Sequence, residues 1–252
     1  MTSSDPSAPA PAPPIEKVNP FQRIIGVFMS PVETFQSIAR KPDWLVPLII
    51  LSVISLVSAL LIASKIDFTD LARQSLEMNP RVSEMPADQQ ERMVRFTSSS
   101  MKVATYVSPV LSIVGLLVIA GALLLGVRMM GGEGNFAQAF SVSIYGWYPR
   151  LLKGVVSIFV LMNRKALTIY DLSNPLRSNP GFLFSPKTNP VAFALWSSFD
   201  LFAIWSLVLY ILGFSTISRL SRGKTAAVVI ILWLVVVLIT LIGPAMQSMK
   251  MK

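Results

Sequence analysis

Hydrophobic and polar positions fall into long blocks along this chain. Trp44–Ser64 has no charged residue over 21 positions, Val103–Val127 none over 25, and Thr225–Met249 none over 25. About 20 apolar residues cross a hydrocarbon core of about 30 Å, so each block predicts a transmembrane helix. Two further blocks, 138–162 and 191–213, are long enough but carry charge: Arg150 and Lys153 in the first, Asp200 in the second. The pattern predicts an all-α polytopic membrane bundle of five transmembrane helices, at about 44–64, 104–128, 138–162, 191–213 and 225–246. No repeat with a period of about 20–50 residues relates these blocks, so nothing suggests internal duplication.

Residues 20–41 precede the first span with a different periodicity. Phe21, Ile24, Ile25 and Phe28 recur at helical spacing, and the pattern restarts at Ser30-Pro31-Val32-Glu33. Ser30 reads as an N-cap, Pro31 as the first helical residue and Glu33 as the returning partner of a capping box. Phe35 and Ile38 extend an apolar face before Arg40 and Lys41. Too short to span, these are expected to be two amphipathic interfacial helices on the membrane surface; the alternative is that they pack on the bundle. Residues 1–18 carry five prolines among Ala and Ser and predict a disordered tail, without the basic and apolar regions of a signal peptide. Residues 19–246 form the membrane domain, and 247–252 a short basic tail.

The connections differ in character. Residues 65–102 hold six basic and six acidic residues, with LARQSLEM and ADQQERMVRF readable as short amphipathic helices. Residues 129–137 predict a tight glycine turn, and 163–190 a turn-rich loop without periodicity. Arg219, Arg222 and Lys224 cluster without an acid, and Arg40-Lys41 abut the first span, which favours a cytoplasmic N-terminus.

Composition narrows the chemistry. The 252 residues are 53% apolar and only 14% charged, well below the surface charge of a soluble domain. With no Cys and no His, disulfides, thiolate nucleophiles, imidazole bases and Cys/His metal sites are excluded. No catalytic residue, cofactor or metal is therefore expected, and the chain reads as no enzyme. The net charge of +9 reads as orientation and contact with anionic lipids of the bilayer. Nucleic acid is not an expected partner, because no soluble basic stripe with interleaved aromatics is present.

Intramembrane charge is the remaining candidate chemistry. Arg150 and Lys153 are three apart on one helix, with Trp147 a turn earlier. Asp200 and Lys153 each lie about 14 Å from the ends joined by the 163–190 loop, so their depths match and a pair is expected between Asp200 and Lys153 or Arg150. Such a cluster is either a polar cleft for an ion, proton or lipid headgroup, or a structural clamp between helices. Pro149 removes a backbone hydrogen bond and predicts a kink or break near Gly146–Pro149. Small residues at spacing four, such as Ala59 with Ala63 and Ala122 with Gly126, mark helix contact faces.

Three stretches also carry a resemblance. NPFQRIIGVFMSPVETFQSIARKPDWLVPLIILSV at 19–53, FAQAFSVSIYGWYPRLL at 136–152 and FDLFAIWSLVLYILGFSTISR at 199–219 resemble the bacterial branch of the Yip family, the Ypt/Rab-interacting membrane proteins. The similarity covers residues 19–245 and implies five spans with a cytosolic N-terminus. Eukaryotic members associate with prenylated Rab GTPases and with one another. A bacterial relative has no Rab partner, and the Pro/Ala tail departs from the longer N-terminal regions of eukaryotic members, so GTPase binding is not carried across. The implied function is membrane organisation or a protein-interaction scaffold, with membrane-protein partners or self-association and no catalytic motif. A transporter or channel-like subunit using Arg150, Lys153 and Asp200 is the alternative. The expected home is the bacterial plasma (inner) membrane, with a Golgi or endoplasmic-reticulum membrane as the alternative.

Overall fold

The computed structural model describes residues 19–77, 82 and 84–250, so the Pro-rich tail expected at 1–18 lies outside the described residues. Ten α-helices are described: α1 Pro20–Met29, α2 Pro31–Arg40, α3 Leu45–Lys65, α4 Phe68–Glu77, α5 Ala87–Met129, α6 Phe136–Met162, α7 Ile169–Ser173, α8 Pro190–Ser197, α9 Leu201–Ser218 and α10 Arg222–Lys250. A 3-10 turn at Pro180–Leu183 lies between α7 and α8, and the described residues contain no strand. Four helices are long and apolar enough to cross a membrane: α3, α5, α9 and α10.

The third expected span, 138–162, is not among these four and forms α6, a continuous helix of 27 residues. Its first half is encased by protein, with every residue from Ala139 to Gly146 buried. A helix surrounded by neighbours can carry Ser, Tyr and cations that a lipid-facing helix cannot, and this lowers its hydropathy. α9 packs along α6, as do α3 and α5, and α9 also touches α5. Their separations are set by small residues. A Cβ at Gly146 would lie 2.5 Å from Tyr210 Cδ1, and one at Gly213 would lie 3.1 Å from Phe35 Cδ1. Gly126 does the same between α5 and Val228 of α10, while Ala59 and Ala63 on α3 are buried.

Several local expectations change. α6 runs unbroken through Pro149, which is buried. The break falls in the fourth span instead, where α8 ends at Ser197 and α9 starts at Leu201. The Asp200 carboxylate accepts from the Phe202 and Ala203 amides and starts a new helix there, a strong N-cap that competes with helical continuation. The second amphipathic stretch of 65–102 is not separate. It is the start of the 43-residue α5, which has no Gly or Pro before Pro109 and is stapled by an Arg95–Glu91 pair at 2.9 Å. Ser30 heads α2 without a side-chain cap bond, because it also closes α1, its N–H donating to Gly26 O with backbone angles unsuited to a box. Two short elements, α7 and the 3-10 turn, interrupt the 163–190 loop, and α10 continues into the expected basic tail as far as Lys250.

The glycine turn at 129–137 places Gly131 and Gly134 at φ of +82° and +109°. It joins the α9–α10 corner through the Glu133 N–H, which donates to Ser218 O at 2.9 Å.

Candidate functional site

The helix break creates the first polar cluster. Lys153 Nζ on α6 donates to Asp200 Oδ2 at 2.7 Å. The Ser178 hydroxyl and the Asn179 amide, the latter at 3.3 Å, donate to the same oxygen. Oδ1 accepts from Phe202 N at 3.0 Å and Ala203 N at 3.4 Å. The loop itself is tied down by Leu201 N–H, which donates to Ser178 O at 3.0 Å. With its side chain 6% exposed, the carboxylate has spent both oxygens on the fold.

Arg150 stands apart from that cluster. Residues three apart on a helix differ by about 60° in direction, and α6 packs against α9 as well as against α3 and α5. Lys153 reaches α9, whereas Arg150 borders the α3–α5 side. Its guanidinium lies 5.0 Å from the centre of the Trp147 ring, a cation–π contact. Its Nε is buried without an acceptor among the described residues. A groove of about 490 Å³ opens beside it, lined by Ser55 and Ser58 of α3 and Thr105 and Ser108 of α5, with Gly154 on α6.

A second buried cluster went unread in the sequence. Arg23 on α1, 3% exposed, pairs with Asp43 and donates to Lys41 O at 2.8 Å, Ser37 O at 3.0 Å and Ser37 Oγ at 2.8 Å. Asp43 Oδ2 accepts from the Tyr145 hydroxyl at 2.9 Å, and one turn deeper the Tyr148 hydroxyl donates to Pro47 O at 2.9 Å. Arg23 is the one charged residue of α1, and Asp43 the last before an apolar block. Those two signals mark isolated charges at a membrane boundary, but only the fold pairs them.

The six candidate membrane-surface residues divide into three groups. Phe35 and Ile38 are fully buried between α2 and the bundle, not turned to lipid, because α2 lies along α9. Ile24 and Phe28 are half-buried against the same core. Phe21 and Ile25 are exposed, and Met29 continues them at spacing four. α1 and α2 thus form a hairpin with one exposed apolar stripe. Its base is fixed where Gln138 Nε2, near the start of α6, donates to Ala39 O at 2.7 Å. Near its tip, the Phe28 ring meets Trp205 edge-on at 5.2 Å. Trp205 lies thirteen residues before Ser218 on α9, about 20 Å along the axis at 1.5 Å per residue.

Comparison with known proteins gives the family. The Yip1 domain model matches residues 25–243. The chain is also similar to "Membrane protein YknW" of Bacillus subtilis (strain 168), 24% identical over 226 residues, covering 89% of this chain and 91% of that protein. No solved structure matches the chain. The family match extends from the middle of α1 into α10 and takes in every helix between, and by it the chain belongs to the Yip1-domain family of membrane proteins.

Proposed function

We propose that this protein is a non-enzymatic scaffold that organises a bacterial inner membrane through the α1–α2 hairpin. The observation that carries the reading is the Phe28–Trp205 contact at 5.2 Å, about 20 Å from the inner end of α9. That is more than half of a core of about 30 Å, so the hairpin tip lies among acyl chains near the bilayer midplane, and Phe21, Ile25 and Met29 are the residues that meet them. A body that enters from one face and ends inside the bilayer takes up more area in the leaflet it enters than in the other, and bends or orders the surrounding lipid.

Five crossings complete the proposal. α6 connects the two membrane faces: its start is joined to Ala39 near the N-terminal hairpin, and its last carbonyl, Met162 O, accepts from Lys65 at the end of α3 at 3.1 Å. The glycine turn and the α9–α10 corner then share the N-terminal face, which carries the Arg219–Lys224 cluster, and basic loops favour the cytoplasm. A transporter built on Asp200 lacks support, since that carboxylate is fully engaged as a clamp and a helix cap.

The chain has no cysteine, so single Cys variants test the reading directly. In right-side-out and inverted vesicles, Met29→Cys should resist a membrane-impermeant maleimide from both sides while Asn19→Cys reacts from one. Rapid labelling of Met29→Cys would place the hairpin in the headgroup layer and remove the wedge.

A further inference from the structure

We propose that the groove between α3, α5 and α6 binds a phosphate-class anion through Arg150. This goes beyond the wedge reading and does not depend on it.

Three features converge on an anion. First, Arg150 lies twelve residues before the end of α6, about 18 Å from that face. An ionised side chain at such depth costs about 2.5–3.5 kcal/mol even on the mild insertion scale unless something neutralises it. Every other intramembrane charge has a partner, since Lys153 and Asp200 hold each other. Arg150 has a ring beneath it and, among the described residues, no carboxylate.

Second, the walls carry hydroxyls that can hold water. Ser58, Thr105 and Ser108 donate to carbonyls of their own helices at 2.6, 2.9 and 2.8 Å. Their remaining lone pairs face the groove as acceptors for water, so Arg150 supplies the direct donors to the anion. A guanidinium meets phosphate oxygens through two parallel N–H bonds, a geometry an ammonium lacks.

Third, the groove has an entrance. Ala104 and Thr105 stand at the head of the apolar stretch of α5, and Ile62 lies one turn from the end of α3. The groove therefore leads inward from the face opposite the N-terminus. Gly154 keeps it clear, because a Cβ there would meet nothing within 4 Å. The phosphate belongs either to an anionic lipid of that leaflet or to a free anion.

Native mass spectrometry of the full-length protein in detergent separates these sources, with phosphatidylglycerol, phosphatidylcholine and inorganic phosphate as probes. Phosphatidylglycerol should be retained about tenfold or more tightly by the parent protein than by Arg150→Gln, the scale of one lost charge-assisted hydrogen bond. Gly154→Leu, whose Cβ starts in open space and whose side chain takes up groove volume, should lose it as well, and serves if Arg150→Gln fails to fold. Arg222→Gln, at an exposed position outside the groove, should bind as the parent does. Inorganic phosphate that displaces phosphatidylglycerol, with the same loss in Arg150→Gln, assigns the site to a free anion and keeps Arg150 as its holder. Equal retention by all variants, or phosphatidylcholine held as firmly as phosphatidylglycerol, overturns the proposal.

Discussion

Tyr145 donates its hydroxyl to Asp43 at 2.9 Å, joining the middle of the chain to a residue 102 positions earlier, and the same carboxylate holds Arg23. One hydroxyl thus completes a triad that fastens the α1–α2 hairpin and the start of α3 to α6. Removing either end of the triad has a calculable cost. Arg23→Met should destabilise the protein by about 2–4 kcal/mol, toward the range for a broken buried pair but reduced because Asp43 keeps part of its side chain exposed. Tyr145→Phe should cost about 1 kcal/mol, one neutral-to-charged hydrogen bond lost with another partner remaining. Thermal unfolding in detergent checks both, and proteolysis near residue 30 should accelerate in Arg23→Met alone.

Asp200 supports two roles that substitution separates. Asp200→Asn keeps an N-cap acceptor for the Phe202 amide but leaves Lys153 unneutralised. Asp200→Ala removes both and should cost about 3–5 kcal/mol, with Asp200→Asn clearly milder. Crosslinked partners recovered from native membranes should be the same for Asp200→Asn and the parent. A folded Asp200→Asn protein that loses every partner would show that this carboxylate does more than hold the helices.

The α6–α9 contact is limited by van der Waals radii. Gly146→Ala pushes a methyl into the Tyr210 ring, which cannot retreat because it is buried and its hydroxyl donates to Ser143 O at 3.4 Å. A loss of about 1–3 kcal/mol is expected. It should shrink in a Tyr210→Leu background, where the double-mutant cycle reports the coupling. Gly115→Ala, whose Cβ meets open space, should be neutral or slightly stabilising.

Outside the membrane, Asp171 offers a pH-dependent reading. Burial alone would raise its pKa, but the Thr168 hydroxyl, the Thr168 backbone amide and the Arg164 charge outweigh it and hold the carboxyl below its usual value. A depressed folded pKa means that this carboxylate's contribution is complete above the unfolded value of about 3.9 and is lost as pH falls through the lower folded value. The α7 cap should therefore survive at pH 5 and open only in stronger acid. A carboxyl-carbon NMR titration should show Thr168→Val moving the Asp171 midpoint upward.

The sequence made the membrane architecture legible and hid its joints. Charge-free runs such as Val103–Val127 declare themselves, because a bilayer demands about 20 apolar residues whatever surrounds them. The Lys153–Asp200 distance was approachable because both residues lie at countable depths from one shared loop. Three things were not readable. Pro149 read as a kink or a break, and the helix is not broken there, since neighbours can satisfy the carbonyl it frees. Asp200 resembled a mid-helix charge, yet its strength as a cap made it a helix start. Phe35 and Ile38 formed a face suited equally to lipid and to protein, and only α9, more than 160 residues later, decided between them. Periodicity reports that a face is apolar; the partner for that face is a tertiary fact.

α5 is one helix of 43 residues, about 65 Å from end to end and roughly twice the thickness of the hydrocarbon core. Its first sixteen residues stand about 24 Å beyond the apolar stretch, with α4 folded against them. Its one interior proline, Pro109, lies within the apolar part, so the projecting section has no joint of its own. The height of the packed α4–α5 section above the apolar stretch is thus set by the stiffness of a rod, and a molecule resting on it would be held at a fixed standoff from the bilayer surface.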